Sequence, residues 1–190
     1  MDFLDTKPRS NLPSSSPPRR LNVRRNIRGS GALILAKDTG QLLFALRASR
    51  YVGPERPREW NLWGGRLYLH ESPEMGVIRN AKEQTGYKGN FEDVTQLYSF
   101  ISLYTNFRYY TYLLTVENEF TPTIDRKLID HYQWVEYGDF PSPLHPAVKT
   151  LLDRAGHKIK NIIDKIFLKE SLADGTPHSI KLKNLIKDLW

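Results

Sequence analysis

The stretch 64–87, GGRLYLHESPEMGVIRNAKEQTGY, decides how the rest of the chain is read. Two glycines follow Trp63. Ser72 and Pro73 then supply a helix start, a hydroxyl at the N-cap and a proline at the first helical position. Met75, Ile78, Ala81, Lys82 and Thr85 recur at steps of three and four, which predicts a helical face apolar except for the stem of Lys82. Gly86 stands where a left-handed cap ends a helix. The stretch reads as strand end, glycine loop, short helix and glycine stop. Its polar groups, Glu71, Arg79, Asn80, Glu83 and Gln84, are the first candidates for chemistry.

Upstream, GALILA (31–36) and QLLFALRA (41–48) read as two strands of a hairpin around the turn Asp38-Thr39-Gly40. A polar loop (49–59) and a short extended piece, Trp60 to Trp63, lead into the glycines. Downstream, VTQLYSFIS (94–102) and FRYYTYLLTV (107–116) are strands around a short turn. A loop with acidic residues spans 117–131, and QWVEY (133–137) is a further strand. Pro141-Ser142-Pro143 then opens a helix with Leu144, Val148, Leu151 and Leu152 on one face. Strands around one central helix, with a second helix after the last strand, predict an α/β arrangement whose sheet is covered on both faces.

A chain of 190 residues with 39% apolar residues suits one domain plus extensions. The absence of cysteine excludes a disulfide framework, a zinc–thiolate site and a cysteine nucleophile. No run of 18 apolar residues and no secretory pattern is present, so the expected location is cytoplasmic. The net charge of +7 belongs to the two ends. Residues 1–28 carry Lys7, Arg9, Arg19, Arg20, Arg24, Arg25 and Arg28 against Asp2 and Asp5. They are rich in Pro and Ser and read as a disordered basic arm, either simply solvated or binding nucleic acid. In 156–190, Ile159, Ile162, Ile163, Ile166 and Phe167 form an amphipathic face beside Lys158, Lys160, Lys165 and Lys169. A turn at Asp174-Gly175-Thr176-Pro177 separates it from a second pattern, Leu182, Leu185, Ile186 and Leu189. This helical extension is expected to pack on the domain or on a second copy as a homodimer. The sharper reading is a basic membrane-surface or partner-binding element. The domain itself is expected over 29–155.

The central stretch resembles the Nudix box, G-x5-E-x7-R-E-U-x-E-E-x-G-U, with U a bulky aliphatic residue. Gly65, Glu71, Arg79, Glu83 and Gly86 match at the right spacing. The opening strand, the hairpin arginine Arg47 and the late Trp134 strand agree. The resemblance implies an α/β/α sandwich with a mixed sheet. It also implies, for most members, Mg²⁺- or Mn²⁺-dependent hydrolysis of a nucleoside diphosphate linked to another group. It assigns Gly65, Glu71, Arg79 and Gly86 to the architecture of the box, and suggests that Glu71 and Arg79 pair to hold the glycine loop on the helix. It makes the carbonyl of Gly64 a metal ligand beside Glu83.

Two positions depart. The family has glutamates where this chain has Asn80 and Gln84, leaving one helical carboxylate of three. Asn80, Glu83 and Gln84 share one helix face. Amide oxygens can ligate Mg²⁺ but bring no charge, and neither amide can take a proton from water near neutral pH. Replacement catalytic groups would have to come from elsewhere: Asp130 before Trp134, with Asp125 and His131 nearby, Glu117, Glu119 and His70 beside Glu71 are candidates, with Glu83 itself. Aromatic residues are dense around the strands: Tyr51, Trp60, Tyr98, Phe100, Tyr104, Phe107, Tyr109, Tyr110 and Tyr112. They serve the core, or one or two clamp a nucleobase while Arg47, Arg66 or Arg108 holds phosphate. Two functions follow. One is a hydrolase of a nucleotide sugar or similar compound, with an atypical metal site. The other is an inactive Nudix-fold module that binds a nucleotide or a nucleic-acid end.

Overall fold

The computed structural model describes residues 27–48, 58–102 and 106–173. Its elements in chain order are β1 (Arg28–Ala36), β2 (Leu42–Arg47), β3 (Trp60–Asn61), β4 (Trp63–Arg66), α1 (Pro73–Thr85), β5 (Val94–Ser102), β6 (Phe107–Val116), β7 (Ile129–Val135) and α2 (Pro146–Ala173). The seven strands make one mixed sheet. β1 is its spine, running parallel to β6 from Arg28 opposite Arg108 to Ala36 opposite Val116. On its other edge the first half of β1 pairs with β4 and the second half with β2. β5 continues the sheet beyond β6, and β3 and β7 both pair with β2.

The apolar run of β1 explains the sandwich. Alternate side chains of a strand point to opposite faces, so a strand buried on both sides reads as continuously apolar. Leu33 and Leu35 enter a core with Val148, Leu151, Ile159 and Ile163 of α2. Ala32, Ile34 and Ala36 enter the other, with Val77 and Ala81 of α1. The α/β/α sandwich expected from the sequence is therefore present, one helix on each face.

The α1 caps form as the sequence predicts. Ser72 Oγ accepts from the Met75 N–H at 3.1 Å, Pro73 opens the helix, and Gly86 at φ 69° donates its N–H to Lys82 O at 2.8 Å. The expected apolar face is wrong in part. Met75 is 66% exposed, while Gly76 and Asn80 are buried with Val77, Ala81 and Thr85. The physical reason is close approach. A Cβ on Gly76 would overlap Leu67 and come within 3.0 Å of the Glu71 carboxylate. The helix is seated on small and polar residues, which a pattern of large apolar ones does not register.

Three boundaries also differ. β7 begins at Ile129, because its pairing with β2 extends to Arg47. α2 begins at Pro146, not Pro141, because the preceding segment serves as an extended strap. Trp60 N–H donates to Pro143 O at 2.8 Å and His145 N–H to Trp60 O at 2.9 Å. α2 then runs without a break past residue 156, so the amphipathic segment is continuous with the helix before it. Its apolar face, including Ile159 and Ile163, packs on the sheet of the same chain, where a homodimer would have used it. The basic arm over 1–26, the loop at 49–57, Tyr51, Tyr104 and the second apolar pattern after residue 173 lie outside the described residues. Among the described residues no helix is long and apolar enough to cross a membrane.

Candidate functional site

The box loop, residues 66–72, is tied to α1 by one guanidinium. Arg79 Nε donates to Glu71 Oε1 at 2.8 Å and Nη2 to Glu71 Oε2 at 2.9 Å. Nη2 also donates to Arg66 O at 3.1 Å. Nη1 donates to Asn80 Oδ1 at 3.1 Å and Glu83 Oε2 at 3.0 Å. A guanidinium has five N–H donors, and here all are engaged. The Tyr68 ring lies 3.8 Å from the guanidinium carbon, a cation–π contact on its face. The hydrogen bonds and charge of Arg79 hold the Glu71 carboxyl down at about 2, against desolvation that acts to raise it. Glu71 in turn raises Arg79. Arg79 and Glu71 thus form the structural clamp that the resemblance suggests, and Arg79 has no donor left for a ligand.

Gln84 makes a second clamp. Its Oε1 accepts from the Gly64 N–H at 3.2 Å, and its Nε2 donates to Gly64 O at 2.7 Å. The orientation is fixed by chemistry, since a flipped amide would set donor against donor and acceptor against acceptor. The carbonyl that the resemblance marks as a metal ligand is therefore covered by an N–H₂ group. Asn80 lies beneath Gly65, whose added Cβ would come within 2.9 Å of Asn80 Oδ1. The Asn80 Nδ2 and the nearby strand hydroxyl Ser30 Oγ are buried with no hydrogen-bond partner.

These residues do not fit a Mg²⁺ or Mn²⁺ ion. Such ions favour carboxylate and water oxygens. The one helical carboxylate, Glu83, is paired with Arg79, the Asn80 oxygen is used by the same arginine, and Gln84 turns N–H toward Gly64 O. Among the described residues no group of three or more His, Asp or Glu is placed to hold a metal. His70 is exposed on the box loop at φ 66°, and Asp130 sits on β7, where its carbonyl accepts from Arg126. Neither lines the cleft described next.

Beside the box lies a cleft of about 400 Å³, lined by Arg28, Arg47, Arg66, Gly64, Gly65 and Gln84 among others. It adjoins an apolar chamber of about 360 Å³ with Tyr98, Phe100, Thr111, His145 and Thr150 in its walls. Arg47, Asn61, Leu62, Phe107 and Tyr109 line both. The described residues lining the first cleft include three arginines and no carboxylate. Gly31 and Gly64 clear the space for Tyr109, because a Cβ on Gly31 would overlap its hydroxyl and one on Gly64 would come within 2.7 Å. Burial pushes that hydroxyl up to about 12, with Arg47 acting the other way, so it stays a neutral donor.

The tertiary structure thus brings Arg47 and Arg66 together, as grouped from the sequence, and leaves Arg108 out. Arg108 lies on β6, across β1 from β4 and the box, and does not line the cleft. Arg28, read only as part of the basic arm, takes its place. Arg28 Nη2 donates to Glu71 O at 3.2 Å, so β1 carries it to the box loop. The signal lies in the pairing of β1 with β4, which sets Gly29 opposite Arg66 and so brings Arg28 beside the box, while Arg108 stands one strand further away.

A mixed sheet between two helices, with this strand–loop–helix box at its centre, defines a Nudix-type domain. The chain belongs to the NUDIX domain family, whose model matches residues 25–155. Hydrolases of that family generally use divalent metals. No curated protein matches the chain. Among solved structures, a MutT protein from Methanosarcina mazei Go1 is 22% identical with a TM-score of 0.53, over 70% of this chain and 94% of that one. An Ap4A hydrolase from C. elegans, a binary complex, is 17% identical with a TM-score of 0.54, over 71% and 98%. The NUDIX domain of Shewanella oneidensis NrtR, complexed with ADP ribose, is 17% identical with a TM-score of 0.54, over 70% and 88%. At these identities the likeness is one of fold.

Proposed function

We propose that this domain binds a nucleotide-type ligand and that its box serves as a scaffold for the cleft. The observation that carries the reading is the joined pair of chambers, arginine-lined at one end and aromatic at the other. A diphosphate would lie by Arg28, Arg47 and Arg66, where a guanidinium fork matches phosphate oxygens. A base would enter the aromatic end against Phe107 and Tyr109, with the Tyr109 hydroxyl as a donor. Arg47 borders both chambers and would set the distance between base and phosphate. The ADP-ribose complex of the similarly folded NrtR domain supports a ligand of this class.

The second reading is hydrolysis, which family membership favours. Glu83, with its side chain 55% exposed, would be its base. It would have to leave Arg79, and Gln84 would have to release Gly64.

Calorimetric titration with ADP-ribose, UDP-glucose and ADP tests binding. Arg47→Ala should weaken it about tenfold or more, the loss of a charge-assisted hydrogen bond. Phe107→Ala should weaken it about fivefold or more, the loss of a stacking face. The same compounds, incubated with Mg²⁺ or Mn²⁺, should show no turnover above that of Glu83→Gln. Failure of every compound to bind overturns the proposal. Turnover that Glu83→Gln abolishes makes the chain a hydrolase instead.

A further inference from the structure

In the resemblance, three helical carboxylates gather a cation that gathers phosphate. In this chain the same place has the opposite polarity. Gln84 Nε2 donates to Gly64 O at 2.7 Å, so N–H hydrogens occupy the approach to that oxygen. Asn80 is 5% exposed and its amide nitrogen has no partner. Glu83 shares the single charge of Arg79, at 3.0 Å, with Glu71. Arg28, Arg47 and Arg66 stand in the wall beside them. A cation entering here meets N–H groups and like charge, whereas an anion meets donors and opposite charge.

We propose that the cleft takes its diphosphate free of metal. It therefore selects diphosphates esterified at both ends over the Mg²⁺ complexes of nucleoside di- and triphosphates. This rests on the nucleotide-binding reading above and adds the state in which the ligand arrives. A terminal phosphate adds negative charge and chelating oxygens, so such nucleotides travel largely with Mg²⁺, which binds through substrate phosphates. A doubly esterified diphosphate lacks that terminal group and holds Mg²⁺ weakly. Bound Mg²⁺ would cancel the charge that the arginines recognise and would need ligands from a box that offers none. Gln84 sets this preference because an amide, with no negative charge, stands beside Glu83 where a carboxylate would attract a cation, and its hold on the Gly64 carbonyl reinforces it.

The test is calorimetric titration of ADP-ribose, UDP-glucose and ATP, each in EDTA and in excess Mg²⁺. The expected result is that the two diesters bind equally in both buffers, within about twofold. ATP is expected to bind in EDTA and to weaken about tenfold in Mg²⁺, the equivalent of one lost charge-assisted contact. Mn²⁺ alone should leave the melting temperature of the wild-type protein unchanged.

Gln84→Glu frees the Gly64 carbonyl and adds a carboxylate beside Glu83. It should weaken diester binding in EDTA about tenfold, and Mn²⁺ should now raise its melting temperature, since a ligand that binds only the folded state stabilises it. Gln84→Ala frees the carbonyl without adding charge, and should keep binding that is indifferent to metal even if the glutamate variant fails to fold. Diester binding that requires Mg²⁺, in the wild-type protein or in Gln84→Ala, overturns the proposal while the nucleotide reading stands. A rise in wild-type melting temperature with Mn²⁺ overturns it too. No binding of any compound in either buffer refutes the nucleotide reading, and this inference with it.

Discussion

Removing the charge of Arg79 while keeping its bulk, as in Arg79→Met, should unfasten the box loop. The magnitude follows from the Glu71 carboxyl. It is moved from 4.5 to about 2 in the folded protein, with its side chain 10% exposed. Each pH unit of such a displacement is about 1.4 kcal/mol between the two protonation states, so the groups that lower it, Arg79 foremost with the Tyr68 N–H and Arg28 beside it, together contribute about 3 kcal/mol at neutral pH. Removing one partner of a buried ion pair typically costs about 3–5 kcal/mol, and partial exposure of Arg79 places this pair at the lower end. The sign is that of a depressed carboxyl. The stabilisation is complete above pH 4.5 and is lost as pH falls toward 2. Urea unfolding of wild type and Arg79→Met, followed from pH 7 to pH 2.5, measures both features. The two curves should differ by about 3 kcal/mol at pH 7 and converge in acid. A difference below about 1 kcal/mol at pH 7, or one that stays constant down to pH 2.5, would refute the argument that Glu71 and Arg79 hold the loop.

Three further outcomes follow from the packing. Gly76→Ala would stabilise an exposed helix by about 1 kcal/mol, yet here it should destabilise, because the new methyl overlaps Leu67 and meets the Glu71 carboxylate. A melting temperature above wild type would contradict that contact. Gly64→Ala places its Cβ against the backbone of Ser30 and Gly31, which cannot swing away, and should cost more than about 2 kcal/mol in urea unfolding. Lys37 bridges Glu92 and Glu117 at the surface, and Lys37→Ala should change stability by less than about 1 kcal/mol, because exposed pairs are well screened. A larger loss would show that these charges are more sheltered than their exposure implies.

Much of the fold was legible because its signals are local. The N-cap at Ser72, the stop at Gly86 and the strands 94–102 and 107–116 each depend on a few neighbouring residues, and each appears where the sequence places it. Positions set by distant partners were less legible. The strap at 141–145 is extended only because it lies against Trp60. Met75 is exposed and Asn80 buried because α1 lies close on Gly65 of β4 and, at its own Gly76, on Leu67 and Glu71 of the box loop.

The candidate site divides in the same way. The sequence by itself determined which groups the box contains: one helical carboxylate, two amides, a Glu71–Arg79 pair at fixed spacing and a run of glycines. Only the tertiary structure decided what those groups do. Gln84 and Gly64 are 20 residues apart, and nothing in either local segment states that the amide will face that carbonyl. Arg28 joins the cleft because β1 pairs with β4 beside the box, and Arg108 does not because β6 lies on the far edge of β1. Residue type fixes the donors and acceptors available. Which acceptor a donor reaches depends on how the strands pair and how closely α1 lies on them, and in this box that has set hydrogens where the family sets a cation.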